Sequence, residues 1–204
     1  MRYAKQECGF PYVFLTTNGR MATPEKVRSC IEAGLDSLKF SFNFSGPEQF
    51  HYVTGVRESD FWKLLENLRA ARRVRDEVES RSGHLCGLYA SSNRYNDEQL
   101  GAMERAVERI LPCVDEHYWL PLYGQAGLTS GARGTVPEGH ITYDGRLSAC
   151  CFDHDGRFDM GDLHCETFME AWHSERFQRL RRAHLAEEVR GTACEKCIAY
   201  DDAP

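Results

Sequence analysis

Long apolar runs are missing from this 204-residue chain, and no charged segment followed by an apolar stretch opens it. The longest apolar segments are too short to cross a bilayer, which argues against a helical membrane protein, and the missing leader pattern argues against secretion. No long basic tract offsets the net charge of −6. Nucleic acid and anionic membrane are therefore not expected as partners. The cluster Arg69, Arg72, Arg73 and Arg75 reads as the wet face of a helix. Internal repeats and low-complexity tracts are also missing. With 42% hydrophobic and 27% charged residues the composition is that of a globular chain.

Cysteine, by contrast, is plentiful. Nine cysteines are many for this length, and the number is odd. Reduced thiols in a cytoplasmic protein fit better than a secreted disulfide framework. Cys30, Cys86 and Cys113 are dispersed and read as small buried packing residues. The others include an adjacent pair, Cys150-Cys151, and the run Cys194-Glu195-Lys196-Cys197. Two thiolates separated by two residues grip one metal centre from a single turn, and a tetrahedral site or a cubane then needs two further ligands. Thioredoxin-like chemistry fits poorly, because that motif opens a helix after a strand and this one lies near the C-terminal end.

Apolar patterning predicts an alternating α/β order. Pro11 to Thr17 is a continuous apolar run ending in Asn18-Gly19, as in a buried parallel strand covered on both faces. Thr23-Pro24 offers a helix start, with Val27, Cys30 and Ile31 at helical spacing and Gly34 as the stop. Leu35 to Phe44 reads as a second strand. Ser59-Asp60 opens the clearest helix, striped by Phe61, Leu64, Leu65 and Leu68. Leu85 to Ala90, a helix from Asp97 through Ile110, and a strand within Val114 to Leu122 complete a βαβαβαβ order, which implies a parallel sheet with right-handed crossovers.

After Pro121 the composition changes. Gly124 to Gly139 reads as a linker, and Asp144-Gly145 between alternating apolar residues as a two-residue hairpin turn. Thr167 and Glu170 form a capping-box pattern before Phe168, Ala171 and Trp172, and Ser174 caps a further segment carrying Phe177 and Leu180. Asp153, His154 and Asp155 read as a solvated loop, Trp172 as a core anchor, and Arg181 as a partner for a nearby acid.

Several of these residues together resemble the radical S-adenosylmethionine enzymes that carry a C-terminal SPASM or twitch auxiliary-cluster domain. The resemblance rests on Thr17-Asn18-Gly19 after a strand, Ser41-Phe42-Asn43 on the next, and His51-Tyr52-Val53-Thr54-Gly55 leading into a long helix. It continues with Gly145 and Cys150 five residues apart, a Gly161-Asp162-Leu163 turn, Glu170-Ala171-Trp172, Leu180-Arg181, and Cys194 with Cys197. It implies a partial parallel (β/α) barrel over 1–122, a linker over 123–138, and over 139–204 a small cysteine-rich hairpin-plus-helix domain that binds an iron–sulfur cluster.

The resemblance implies Cys150, Cys194 and Cys197 as ligands of an auxiliary [4Fe–4S] cluster, with Cys151 a small buried hydrophobe. A fourth position is open, filled by a substrate atom, or donated by Cys165, His140 or His154; zinc is an alternative occupant. Ser41 and Asn43, with Thr17 and Asn18, are the implied contacts to S-adenosylmethionine; the other reading is that they satisfy local backbone at strand ends. The implied activity is radical modification of a peptide or small-molecule substrate, begun by reductive cleavage of S-adenosylmethionine with electrons from a flavodoxin or ferredoxin.

Two departures bear on that activity. No cysteines in the chain form the Cys-x-x-x-Cys-x-x-Cys loop that holds the family's first cluster, and residues 129–135, where a further auxiliary ligand is expected, contain none. The expectation is a C-terminal portion, or a degenerate relative, that does not cleave S-adenosylmethionine on its own. About 120 residues precede the linker, against roughly 250 for a full eight-stranded barrel, so Tyr12 to Thr17 is expected at an exposed sheet edge. The rival reading is a non-enzymatic zinc or iron–sulfur module for electron transfer or docking.

Overall fold

The computed structural model describes residues 1–94, 97–120, 138–151, 153, 155–186 and 188–195, and the chain divides into two compact units, Met1–Leu120 and Pro121–Pro204. Among the described residues no helix is long and apolar enough to cross a membrane.

The first unit runs β1 (Phe14–Thr17), α1 (Pro24–Glu32), β2 (Ser37–Ser41), α2 (Pro47–Thr54), α3 (Ser59–Ser82), β3 (Gly87–Asn93), α4 (Asp97–Glu108) and β4 (Glu116–Leu120). Its four strands are all parallel and lie in chain order β1-β2-β3-β4. A sheet that grows in one direction through right-handed crossovers keeps every helix on the same face, as a barrel does and a doubly wound sheet does not. The core obeys this. Leu38, Phe40, Leu88 and Ala90 point into one buried cluster with Val27 and Ile31 of α1 and Phe61, Leu64, Leu65 and Leu68 of α3. The opposite face carries Phe14, Thr16, Lys39, Ser41, Tyr89, Glu116 and Tyr118, all exposed or half-buried. This is the partial parallel sheet expected, and its four strands do not close on themselves.

β1 corrects the expectation of a strand covered on both faces and bears out that of an exposed sheet edge over Tyr12 to Thr17 among the described residues. The run from Pro11 is a strand only from Phe14, and it is an edge strand whose Phe14 and Leu15 are 63% and 37% exposed. Apolar composition on both faces signals burial only where something packs on both faces. The other strands are trimmed or shifted by a few residues, and α2 forms where only the approach to a long helix was expected. α2 has Pro47 in its first turn and ends at Gly55, which takes a left-handed φ of 67°.

The second unit contains β5 (His140–Ile141), β6 (Arg146–Ser148), β7 (Asp159–Asp162), α5 (Phe168–Trp172) and α6 (Glu175–Leu185). The three strands form an antiparallel sheet in that order. The hairpin loop is not the expected two-residue turn. Thr142 N–H donates to Arg146 O at 2.9 Å and Gly145 N–H to Thr142 O at 3.0 Å, so Tyr143, Asp144 and Gly145 form a three-residue loop. Gly145, with φ of 77°, takes the left-handed third position that this loop requires. Gly161 and Asp162, expected in a turn, instead end β7, because Leu147 and Arg146 of β6 pair with them. The capping box at Thr167 and Glu170 is formed, and Ser174 Oγ accepts from Phe177 N–H, which starts α6.

Candidate metal centre

The second unit has its own core of Leu147, Ala149, Phe158, Met160, Ala171, Phe177, Leu180, Val189 and Cys194, with Cys150, Leu163 and Trp172 packed against it. β6 delivers Cys150. Two residues beyond its end, Cys150 N–H donates to Ser148 Oγ at 3.3 Å, and Ser148 Oγ lies 3.0 Å from Asp153 Oδ2. The same Asp153 carboxylate accepts from Phe158 N–H at 3.0 Å and Arg157 N–H at 2.9 Å. Asp153 is therefore the post that folds the loop after Cys150, not part of a merely solvated stretch. The reading of Asp153 as solvent-facing is corrected, and His154 lies outside the described residues.

Cys194 reaches the same core from the other end of the unit. After α6 the chain turns at Gly191, which has φ of 76°, and Thr192 Oγ1 accepts from Cys194 N–H at 3.1 Å. The Cys194 thiol is buried at 3% exposure, and His184 of α6 places Nε2 3.2 Å from its Sγ. Burial pushes the His184 imidazole below its ordinary pKa and so favours the neutral, metal-ligating form. Cys197 lies outside the described residues. Among those described, no group of three or more His, Cys, Asp or Glu is arranged to hold a metal.

The remaining cysteines separate by burial. Cys86 and Cys113 are buried in the first unit's core, and burial pushes the Cys86 thiol up to about 12, the behaviour of a packing residue. Cys151, expected to be a small buried hydrophobe, is exposed in the turn after β6, while its neighbour Cys150 packs against the core. Cys165 is exposed in the turn after β7, apart from the core that holds Cys150 and Cys194. His140 pairs with Ser148 across β5 and β6 and, with Cys150, Cys151 and Asp153, lines a concavity of about 750 Å³.

α5 and α6 are fastened by aromatic packing. Trp172 meets Phe177 edge-on at 4.7 Å, and the Arg181 guanidinium lies 4.2 Å from the centroids of both rings while donating to Trp172 O. Arg181 thus stacks on aromatics instead of pairing with an acid.

In the first unit the four implied contacts to S-adenosylmethionine lie at the carboxyl ends of β1 and β2 or just beyond. Thr17 Oγ1 accepts from Gly19 N–H at 3.1 Å and Asn18 Oδ1 from Arg20 N–H at 3.2 Å, while Asn67 of α3 donates to the carbonyls of Gly19 and Arg20 at 3.0 Å each. A side chain at Gly19 would meet Leu64 Cδ1 at 2.3 Å, so this turn is also a packing joint. Thr17 pairs with Phe40 and faces the helices; Ser41 pairs with Ser91 on the other face. Asn43 Oδ1 accepts from Asn93 N–H at 2.9 Å and ties the end of β2 to β3. The four are gathered at one edge of the sheet but not on one face.

His184 escaped the sequence reading. The signal was available, since Phe177, Leu180 and His184 recur at helical spacing on the buried stripe of α6.

The residues present fit a thiolate-bound group. Cys150 and Cys194 come from distant parts of the chain to one apolar core, and soft thiolates with an imidazole beside them are the donors that iron–sulfur clusters and zinc take. No curated protein and no solved structure matches the chain. A family model does: that of the SPASM iron–sulfur cluster-binding domain, over residues 137–198. The hairpin that carries Cys150 and the segment that carries Cys194 both fall inside this match, so the second unit of the chain contains a SPASM iron–sulfur cluster-binding domain, consistent with the auxiliary domain of radical S-adenosylmethionine enzymes.

Proposed function

We propose that the chain is the auxiliary-cluster portion of a radical S-adenosylmethionine enzyme, with Cys150, Cys194 and Cys197 as thiolate ligands of a [4Fe–4S] cluster. The observation that carries this reading is the packing of Cys150 and Cys194 against a single buried core within the SPASM match. Cys197 joins them by its sequence spacing from Cys194. When bound, the cluster supplies one-electron exchange with a substrate or a site at which substrate is held. The protein's part is placement. The loop around Asp153 fixes Cys150, the Gly191 turn fixes Cys194, and the apolar core of Leu147, Phe158 and Phe177 backs both residues.

Ser41 and Asn43 are the residues proposed to contact S-adenosylmethionine, on a peptide- or small-molecule-modifying enzyme that takes electrons from a flavodoxin or ferredoxin. Their position at the carboxyl ends of parallel strands supports this, since ligands of α/β sheets bind there. The 204 residues contain no Cys-x-x-x-Cys-x-x-Cys loop, and this favours a second reading, a zinc or iron–sulfur module without radical chemistry of its own.

Anaerobic reconstitution with iron and sulfide, followed by iron, sulfide and zinc analysis, separates the readings. Iron and sulfide in equal amounts, lost in the Cys150→Ser and Cys194→Ser variants, support the cluster. Zinc alone supports the second reading. Neither metal retained would end both.

A further inference from the structure

Resting on the reading of the second unit as the holder of an iron–sulfur centre, we propose that an exposed arginine ridge on α6 is the docking surface for an acidic one-electron carrier protein. Arg176, Arg179 and Arg182 follow one another at three-residue spacing across the solvent side of α6, and Leu185, 87% exposed, continues the ridge. Residues at this spacing are neighbours on a helix surface, so three positive charges stand side by side. None of the three pairs with a carboxylate among the described residues. The helix itself does not need them. Its buried stripe is Phe177 and Leu180, like charges at this spacing repel, and Arg176 in the first turn opposes the helix dipole. Glu175 is the one acidic residue in α6, and past the helix Glu188 and Arg190 offset each other in charge.

Position and charge select the partner. On the inner side of α6 His184 Nε2 lies 3.2 Å from Cys194 Sγ, so the ridge on the outer side stands about one helix width, roughly 10–12 Å, from that sulfur. A carrier seated on the ridge is separated from the centre by this single helix. Acids gather instead on and around the three-stranded sheet, at Asp144, Asp153, Asp155, Asp159 and Asp162. An acidic protein is therefore drawn to α6 and repelled from the sheet, which sets its orientation. Arginine beside an exposed apolar side chain is also the composition of a protein interface. A long nucleic acid would meet those carboxylates and a chain of net charge −6, whereas a compact protein need touch only one helix. On transfer the carrier is oxidised by one electron and the centre is reduced by one, with no bond made or broken.

The test titrates an acidic flavodoxin onto the full chain after reconstitution with iron and sulfide, following binding and its rates at low and high salt. In the triple variant Arg176→Gln, Arg179→Gln, Arg182→Gln, binding should weaken about tenfold or more, mainly through slower association, and high salt should do the same to the parent. A charge-matched control, Lys26→Gln with Arg69→Gln and Arg73→Gln on exposed positions of the first unit, should bind as the parent does. Iron and sulfide content, and reduction by dithionite, should be the same in all three proteins. Hydrogen exchange on the parent alone should show new protection over residues 175–185 when flavodoxin is added, which decides the matter if a variant fails to fold. Equal weakening in the control, no weakening in the α6 variant, protection that spares α6, no binding at low salt, or tighter binding of a short DNA duplex to the same ridge overturns the proposal and leaves the cluster reading standing. Failure of every preparation to retain iron and sulfide overturns the cluster reading and this proposal with it.

Discussion

Arg75 of α3 and Asp115 at the start of β4 meet in a two-pronged ion pair, with Nη1 2.9 Å from Oδ2 and Nη2 3.0 Å from Oδ1. Arg75 is almost wholly buried, and Asp115 also accepts from Leu88 N–H at 2.7 Å and from Arg72 at 3.0 Å. The pair clamps the longest helix to the two strands on that side of the sheet. Removing one partner strands the other in a dry place, which costs more than the pair itself contributes. Asp115→Asn should therefore lower the urea stability of the first unit by about 2–3 kcal/mol, the low end of the buried range because the carboxylate is about one-third exposed. The double change Arg75→Met with Asp115→Leu should recover part of that loss. A loss below roughly 0.5 kcal/mol would place the pair with ordinary surface bridges.

The same carboxylate makes the first unit acid-sensitive. Burial works to raise the Asp115 pKa, but hydrogen bonds from Arg75 and Leu88 outweigh it and hold the group below the usual carboxylate range. Asp36 behaves alike: burial is outweighed by Lys5 at 2.9 Å and by the Val13 N–H. A carboxylate whose folded pKa is depressed gives its full stabilisation above its unfolded value of about 4 and loses it as pH falls through the folded value. Unfolding free energy should decline gently below the ordinary imidazole range, where burial keeps His117 neutral in the folded state, and then fall steeply below about pH 4. In Asp115→Asn the fall should be shallower. An unchanged slope in that variant would remove Asp115 from the acid response.

Stacking of Arg181 on Trp172 and Phe177 predicts a packing phenotype, not a charge phenotype. Arg181→Lys keeps the charge and loses the flat face, and should cost about 1 kcal/mol in the second unit with a shifted Trp172 emission. Phe177→Ala, which empties a fully buried ring site, should cost about 3–5 kcal/mol. Equal stability of Arg181→Lys and the parent at low and high salt would refute the stacking role.

Where one apolar period controlled an element, the sequence was enough: Phe61, Leu64, Leu65 and Leu68 gave α3, and Thr167 with Glu170 gave the start of α5. It fell short where the outcome depends on a distant partner. Arg75 looks like Arg72 or Arg73 on a helical wheel, and what marks it as a buried residue is its pairing with Asp115, forty positions away, and with the Cys86 carbonyl, besides its neighbour Asp76. Pro11 to Thr17 is apolar on both faces whether or not anything covers it. In the second unit, Cys150 and Cys194 stood out by the cysteine pattern and the resemblance, and His184 shares helical spacing with Phe177 and Leu180, whereas Asp153 carries no spacing signature and is identified only by what it touches.

β1 is an edge of the sheet, paired only with β2 among the described residues, and Phe10, Tyr12 and Phe14 are exposed along or just before it. Unpaired N–H and C=O groups beside apolar side chains template strand addition. The 204-residue chain should associate with rising concentration, and Thr16→Lys, which puts a charge on an exposed edge position, should suppress it. Light scattering across a concentration series checks this; a parent chain that stays monomeric at high concentration contradicts it.

The last expectation concerns Asp153, which touches no proposed ligand sulfur yet holds the loop that presents one. Its carboxylate takes the N–H groups of Arg157 and Phe158 and lies by the Ser148 hydroxyl, which in turn receives Cys150 N–H. Asp153→Ala takes the acceptor from the N–H groups of Arg157 and Phe158 and leaves the Ser148 hydroxyl only the Cys150 carbonyl, at a cost of about 1–3 kcal/mol to the second unit. It should also loosen the Cys150 sulfur and weaken zinc or iron retention about 10- to 100-fold in a chelator competition, the range for residues that position ligands. Asp153→Asn keeps one acceptor oxygen and should fall between the parent and the alanine variant. Chelator resistance unchanged in Asp153→Ala, despite the stability loss, would mean that Cys150 is held by its neighbours on β6 and the core alone, or is not a ligand.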